Sequence, residues 1–132
     1  MRREVISRAK GLCEYCRTDS DFSDSPFDVE HIVPLSLGGV TELDNLAFAC
    51  HGCNMKKSNK TEFFDVISSE ISRLFNPRKD IWKEHFGWTQ NLLIAVGLTP
   101  VGRVTVELLE LNRKGLINRR KALLIFGTHP PE

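Results

Sequence analysis

Apolar positions near the start of the chain fall at helical spacing. Val5, Ile6 and Ala9 would form the buried side of a short helix over residues 3–10, and Gly11 would stop it. Residues 18–26 are rich in Asp and Ser and read as loop. "FDVEHIV", residues 27–33, alternates as a half-buried strand does, with Pro34 as its stop. Pro34, Gly38, Gly39 and the Asp44-Asn45 pair give "PLSLGGVTELDN" the chemistry of a long loop. "LAFAC" is short and apolar, a second strand. "HGCNMKKSNK" should begin a helix that carries Cys53, Asn54 and Lys57 on neighbouring turns. The expected order is strand, loop, strand, helix.

In the second half, Phe63, Phe64, Ile67, Ile71, Leu74 and Phe75 fit a helical stripe within "TEFFDVISSEISRLF". Pro77 would end that helix. "IWKEHFGW" and "LLIAVGL" read as a hairpin across Thr89-Gln90-Asn91, with Gly87 and Gly97 inside the strands. Thr99 and Pro100 are an N-cap and a first helical position. Asn112 would cap a last helix running to about Phe126, and "GTHPPE" is a tail. No internal repeat or low-complexity segment is visible.

The 132 residues suit one domain. Hydrophobic content of 41% and charged content of 27% are those of an ordinary globular protein. No apolar run approaches a membrane span, and "MRREVISRAK" lacks the apolar core of a signal peptide, so a cytoplasmic protein without a membrane partner is expected. The net charge of +1 does not announce a nucleic-acid binder. Local charge does more: Arg2, Arg3, Arg8, Lys10 and Arg17 cluster at the start, and Lys56, Lys57 and Lys60 follow the last cysteine. Arg113, Lys114, Arg119, Arg120 and Lys121 crowd near the end. Such clustering permits a basic face, and the last group reads equally well as a solvated helix face.

The four cysteines come as "CEYC" (Cys13, Cys16) and "CHGC" (Cys50, Cys53). In a reducing compartment, two C-x-x-C pairs argue for metal rather than disulfides. Each turn aims two thiolates at one point, and two turns complete a tetrahedron around structural Zn2+. No ligand position is left open, so chemistry must use another metal or none.

Between the pairs lies a constellation: Glu30 and His31 side by side, Asn45 before the second strand, and Asn54 on the following helix. Phosphodiester hydrolysis needs a base, a cation and something to orient the base. A neutral imidazole suits the first task near pH 7. A carboxylate plus an amide oxygen suits one hard divalent cation such as Mg2+. An Asn side chain can tie two parts of a loop together. Asp28 shares a strand face with Glu30. Arg17, beside the first knuckle, is a candidate phosphate contact. Tyr15, Trp88 and His85 read as packing, and His51 as exposed or supporting.

"DVEHIVPLSLGG…LDNLAFACHGCNMKK" resembles the HNH endonuclease family, in the branch whose ββα-metal finger is supported by a four-cysteine zinc site. The specific likeness covers Cys13 to about Lys57, and "LFNPRKDIWKEHF" and "GLTPVGRVTVELLELNR" resemble the tails of small stand-alone HNH proteins. The resemblance implies an α+β fold. Residues 1–60 would form an HNH (His-Me finger) core with zinc knuckles, and residues 61–132 a helix, a β-hairpin and C-terminal helices packed on it. It implies His31 as general base, Glu30 and Asn54 as ligands of a catalytic Mg2+ or Mn2+, and Asn45 as the residue that orders the loop behind His31. It implies Cys13, Cys16, Cys50 and Cys53 as zinc ligands and Lys57, with Lys56, as a phosphate contact. Asn54 stands where the family name would place a histidine, and an amide oxygen favours Mg2+ or Mn2+ over softer metals. The implied partner is DNA, double-stranded, cleaved to 5′-phosphate and 3′-hydroxyl ends. Two other readings stay open: a non-catalytic zinc module that binds nucleic acid, and an interaction subunit with a protein partner or a second copy of itself.

Overall fold

A computed structural model describes residues 1–131 of the chain. Helix α1 (Arg2–Ala9) buries Val5 and Ala9. Lys10, at φ 57°, and Gly11, at φ 73°, take the left-handed conformation that ends it and turns the chain into the first cysteine pair. Strands β1 (Asp28–His31) and β2 (Leu46–Ala49) pair antiparallel, with Asp28 opposite Ala49 and His31 opposite Leu46. Every residue of β2 is buried, so this strand is the floor on which the hairpin stands. Helix α2 (His51–Lys57) follows at once, with Cys50 as its N-cap and the Cys50 sulfur accepting from the Cys53 N–H. Strand, loop, strand and helix thus follow in the expected order, and the fold is α+β.

Residues 62–73 depart from expectation. The apolar stripe does not form a helix. Strands β3 (Glu62–Asp65) and β4 (Glu70–Arg73) form a second antiparallel hairpin instead. The turn decides it: Asp65 Oδ2 accepts from Ser68 N–H at 3.1 Å, and Ser69 sits at φ 58°. The Arg103 guanidinium then grips both Asp65 oxygens, at 3.0 and 2.9 Å. Phe64, Ile67 and Ile71 face solvent, and from this stretch only Leu74 and Phe75 join Asp65 as fully buried side chains. Apolar residues spaced three and four apart fit a helix, yet Phe64 opposite Ile71 is an equally good cross-strand pair.

Helix α3 (Trp82–His85) is a single turn where the sequence suggested strand, and β5 (Phe86–Trp88) pairs with β6 (Ala95–Gly97) in the expected hairpin. Helix α4 (Pro100–Leu108) starts as read: Thr99 Oγ1 accepts from Gly102 N–H at 3.1 Å, with Pro100 at the first position. α4 lies tightly on β6, since a Cβ on Gly97 would stand 2.4 Å from Arg103 N. Helix α5 (Lys114–Phe126) is present, but Asn112 does not cap it. Asn112 instead pairs with the backbone of Ala95, accepting from its N–H at 2.7 Å and donating to its carbonyl at 2.9 Å, and so completes the edge of β6. One apolar core unites Val5, Tyr15, Phe48, Phe75, Phe86, Val104 and Leu111. Among the described residues no helix is long and apolar enough to cross a membrane.

Candidate active site

The turn after α1 and the N-terminus of α2 bring the four cysteine sulfurs within 4.8 Å of one another, all buried. Cys16 Sγ and Cys50 Sγ lie 3.8 Å apart. Thiolates on a tetrahedral zinc at about 2.3 Å stand about 3.8 Å from each other, so the donor set and its spacing fit Zn2+. Burial pushes the Cys13 thiol well up from its ordinary value, while hydrogen bonds from Cys13, Cys16 and Cys53 hold Cys50 down. A cation is what lets four crowded sulfurs ionise together. Arg113, at the N-cap of α5, reaches across to donate to Cys50 Sγ at 3.5 Å and Cys53 Sγ at 3.6 Å. Gly52 leaves it room, because a Cβ there would stand 2.5 Å from the Arg113 guanidinium.

Glu30, His31 and Asn54 line one open cavity of about 320 Å³, with Val29, Pro34, Leu35, Ser36, Ser58 and Asn59. β1 supplies the first two and α2 the third. His31 ends β1, and its Nε2 lies 2.8 Å from Thr41 Oγ1. Its Nδ1 has no hydrogen-bond partner among the described residues. Asn45 ties the intervening loop: its Oδ1 accepts from Val33 N–H at 2.9 Å, and its Nδ2 donates to the carbonyls of Val33 and Val40 at 3.0 and 2.8 Å. That loop begins directly after the strand carrying His31, so the amide fixes the strand end.

Glu30 is only 5% exposed. The Tyr15 hydroxyl donates to its Oε1, and Lys57 Nζ lies 3.1 Å from its Oε2. Burial raises the Glu30 carboxyl above its ordinary range, against the pull of Lys57 and Tyr15. Burial and then the Glu30 charge push the Tyr15 hydroxyl well up. Lys57 corrects an expectation. It does not reach the surface as a phosphate contact would: it is 1% exposed and donates to the carbonyl of Ile32 at 3.0 Å while pairing with Glu30. One turn earlier, Asn54 Nδ2 donates to Asp28 Oδ2 at 2.9 Å, and His51 Nδ1 lies 3.0 Å from the same oxygen. Residues 28 and 30 of the strand thus face residues 54 and 57 of the helix, two rungs of one ladder.

The remaining candidates lie elsewhere. Lys56 pairs with Glu110 at 2.7 Å. Arg17 stands over the Trp82 ring at 5.8 Å, in a cavity with Lys83 and Trp88, away from His31. Thr41 and Tyr15, which touch His31 and Glu30, carry no sequence signal that marks them for those roles.

A four-cysteine knuckle, a β-hairpin ending in histidine, an Asn-tied loop and a helix packed across them make up a ββα finger. Residues 13–60 match the model of the HNH endonuclease family. The chain is also 30% identical over 77 residues to the type IV methyl-directed restriction enzyme EcoKMcrA of Escherichia coli (strain K12), a match covering 53% of this chain and 28% of that protein. The chain therefore spans little more than a quarter of the length of that relative. No solved structure matches the chain significantly.

Proposed function

We propose that the protein is a metal-dependent DNA endonuclease that hydrolyses phosphodiester bonds, with His31 as general base. The observation that carries this reading is the shared cavity of His31, Glu30 and Asn54, with the far nitrogen of His31 engaged by Thr41. A proton on Nε2, donated to Thr41, leaves Nδ1 as the acceptor for a proton from water. Asn45 keeps the strand end, and so the imidazole, in place. Glu30 and Asn54 are the residues that would hold the catalytic Mg2+ or Mn2+; a carboxylate and an amide oxygen facing one cavity suit a hard ion. Bound there, the ion supplies charge stabilisation to the phosphate and the leaving 3′ oxygen. Cys13, Cys16, Cys50 and Cys53 hold a structural Zn2+ that anchors the start of α2. Duplex DNA is the substrate, and the family match together with the restriction-enzyme relative supports it. Residues 1–60 form the catalytic unit, and residues 61–132 brace it. Lys56 and Arg17 remain candidate DNA contacts at the margin, on the exposure of Lys56 and the partial exposure of Arg17.

One observation favours a second reading, a zinc-stabilised module that binds nucleic acid without cutting it. Both carboxylate oxygens of Glu30 are already engaged, by Tyr15 and Lys57. Product ends separate the two. With Mg2+ or Mn2+ the endonuclease reading expects fragments with 5′-phosphates that DNA ligase rejoins. Duplex bound but intact in every divalent metal would establish the second reading.

A further inference from the structure

Arg17 breaks a pattern. The other partly or fully buried arginines of the second half give their guanidinium protons to acceptors. Arg78 pairs with Glu14, and Arg103 with both oxygens of Asp65. Arg113 donates to the Cys50 and Cys53 sulfurs, and Arg120 to the carbonyls of Leu93 and Leu111. The Arg17 side chain is also partly covered, yet it has no hydrogen-bond acceptor or counter-ion among the described residues. It stands over the Trp82 ring at 5.8 Å. Of the carboxylates beside it in the chain, Glu14 is engaged by Arg78 and the Phe48 N–H, and Asp19 by the Asp21 N–H.

A cavity of about 400 Å³ opens beside this guanidinium. Trp82, Phe86, Trp88 and Pro130 make its apolar walls, and Lys83 joins Arg17 as a second cation. Lys83 is exposed and has no counter-ion among the described residues. No carboxylate lines the cavity among the described residues, and none of its lining residues lines the cavity of His31. The walls are fixed. The Trp82 indole N–H donates to the Tyr15 carbonyl at 2.9 Å, and its ring stacks on the buried Phe86 at 4.8 Å. Trp88 meets the His129 ring edge-on at 4.7 Å and the Arg120 guanidinium at 4.9 Å. Walls ordered in advance lose little entropy when a ligand enters.

The lining says what would enter. Flat apolar walls suit a flat ring, and two free cations suit an anion attached to it. A quaternary ammonium is excluded, because Arg17 and Lys83 would repel it. A proline-rich peptide would cover the indoles but leave both cations without a partner. A nucleotide meets both demands, with a π face on its base and charge on its phosphate. In a duplex the base is already paired and stacked, so the ring must come from an unpaired nucleotide.

We infer that the cavity of Arg17, Trp82 and Trp88 binds one unpaired nucleotide, its base against the indoles and its phosphate on Arg17 and Lys83. The inference stands apart from the endonuclease reading, since it asks nothing of His31.

The protein's two tryptophans both line this cavity, so their fluorescence reports on it. Zinc-loaded full-length protein, without Mg2+ or Mn2+, is titrated with oligothymidylate. Saturable quenching is expected. A blunt duplex, and an abasic strand that keeps the phosphates but lacks the bases, should quench little. Thymidine monophosphate identifies the source: affinity equal to the strand's makes it a free nucleotide, weaker affinity makes it a strand, and both uphold the cavity. Arg17→Gly plus Lys83→Ala should raise Kd for the strand at least about tenfold. The slope of log Kd against log salt should flatten by about 1.4, or about 0.7 for each cation removed from a single strand. Glycine suits position 17, whose φ is 68°, so zinc content and circular dichroism should not change. Lys83→Ala alone, at an exposed residue, should flatten the slope by about 0.7. Lys114→Ala plus Lys121→Ala removes the same charge from an exposed part of α5 and should change neither Kd nor slope. An unchanged Kd in the Arg17 and Lys83 double variant would overturn the inference. So would no quenching by strand or mononucleotide, equal quenching by the duplex or the abasic strand, or quenching by a polyproline peptide instead. Each of these results leaves cleavage by His31 untouched.

Discussion

The contact between Lys57 and Glu30 shows how a single residue can change meaning once the fold is known. In sequence, Lys57 sits one helical turn beyond Asn54 and looks like a basic side chain on its way to a phosphate. Packed, it is the buried counter-ion of a carboxylate at the site. Removing Lys57 leaves Glu30 buried with the Tyr15 hydroxyl but without its counter-ion. Lys57→Met should therefore cost roughly 3–5 kcal/mol of stability, read by urea denaturation of the zinc-loaded protein. Thr41 acts on His31 at the opposite end of the site. Its hydroxyl is exposed and worth an ordinary hydrogen bond, so Thr41→Val should slow cleavage by about two- to tenfold. Thr41→Ser should retain the rate. Glu30, His31, Asn45 and Asn54 were singled out by a strand end, a loop tie and a helix turn, and the fold brings Glu30, His31 and Asn54 to one cavity. Thr41 and Tyr15 were not. One is an ordinary polar residue in a loop, the other an aromatic inside a knuckle, and only the closed fold brings them to their partners.

Among the elements, α1, β1, β2, α2 and α4 were readable because local chemistry and tertiary packing agree on them. Gly11, Pro34, the Cys50 cap and the Thr99-Pro100 start each punctuate the chain where the fold turns. The β3–β4 hairpin was not readable, because its apolar residues lie outside the core and its fixing contact, Asp65 with Arg103, spans 38 positions. Arg103 holds the Asp65 carboxyl well below the usual carboxylate range. A depressed folded pKa contributes stability that is complete above the unfolded value, near pH 4, and is lost as pH falls through the folded one. Asp65→Asn should therefore weaken the hairpin at neutral pH, seen as faster amide exchange over residues 62–73. The difference between variant and wild type should shrink as the pH is taken down through the acid range.

At the scale of the whole molecule, the four-cysteine cluster joins three distant parts of the chain. Cys13 and Cys16 come from the turn after α1, Cys50 and Cys53 from the start of α2, and Arg113 from the N-cap of α5. Lys56 with Glu110, Arg78 with Glu14, and the Trp82 indole N–H to the Tyr15 carbonyl add to the same seam. Chelation of zinc should loosen the C-terminal helices as well as the knuckles. Trp82 and Trp88, the protein's two tryptophans, would report it through a red shift in fluorescence that zinc reverses. The central claim is that His31, in a fold held by zinc, is the base that cuts DNA. Cleavage of supercoiled plasmid with Mg2+ or Mn2+ tests it most directly, using wild type and His31→Ala of equal zinc content and equal thermal stability. The expected result is nicked or linear product with the wild type and a loss of about 10²–10⁴-fold in rate with the variant. Equal rates in the two proteins, or an intact plasmid with wild type in every divalent metal tried, would contradict it.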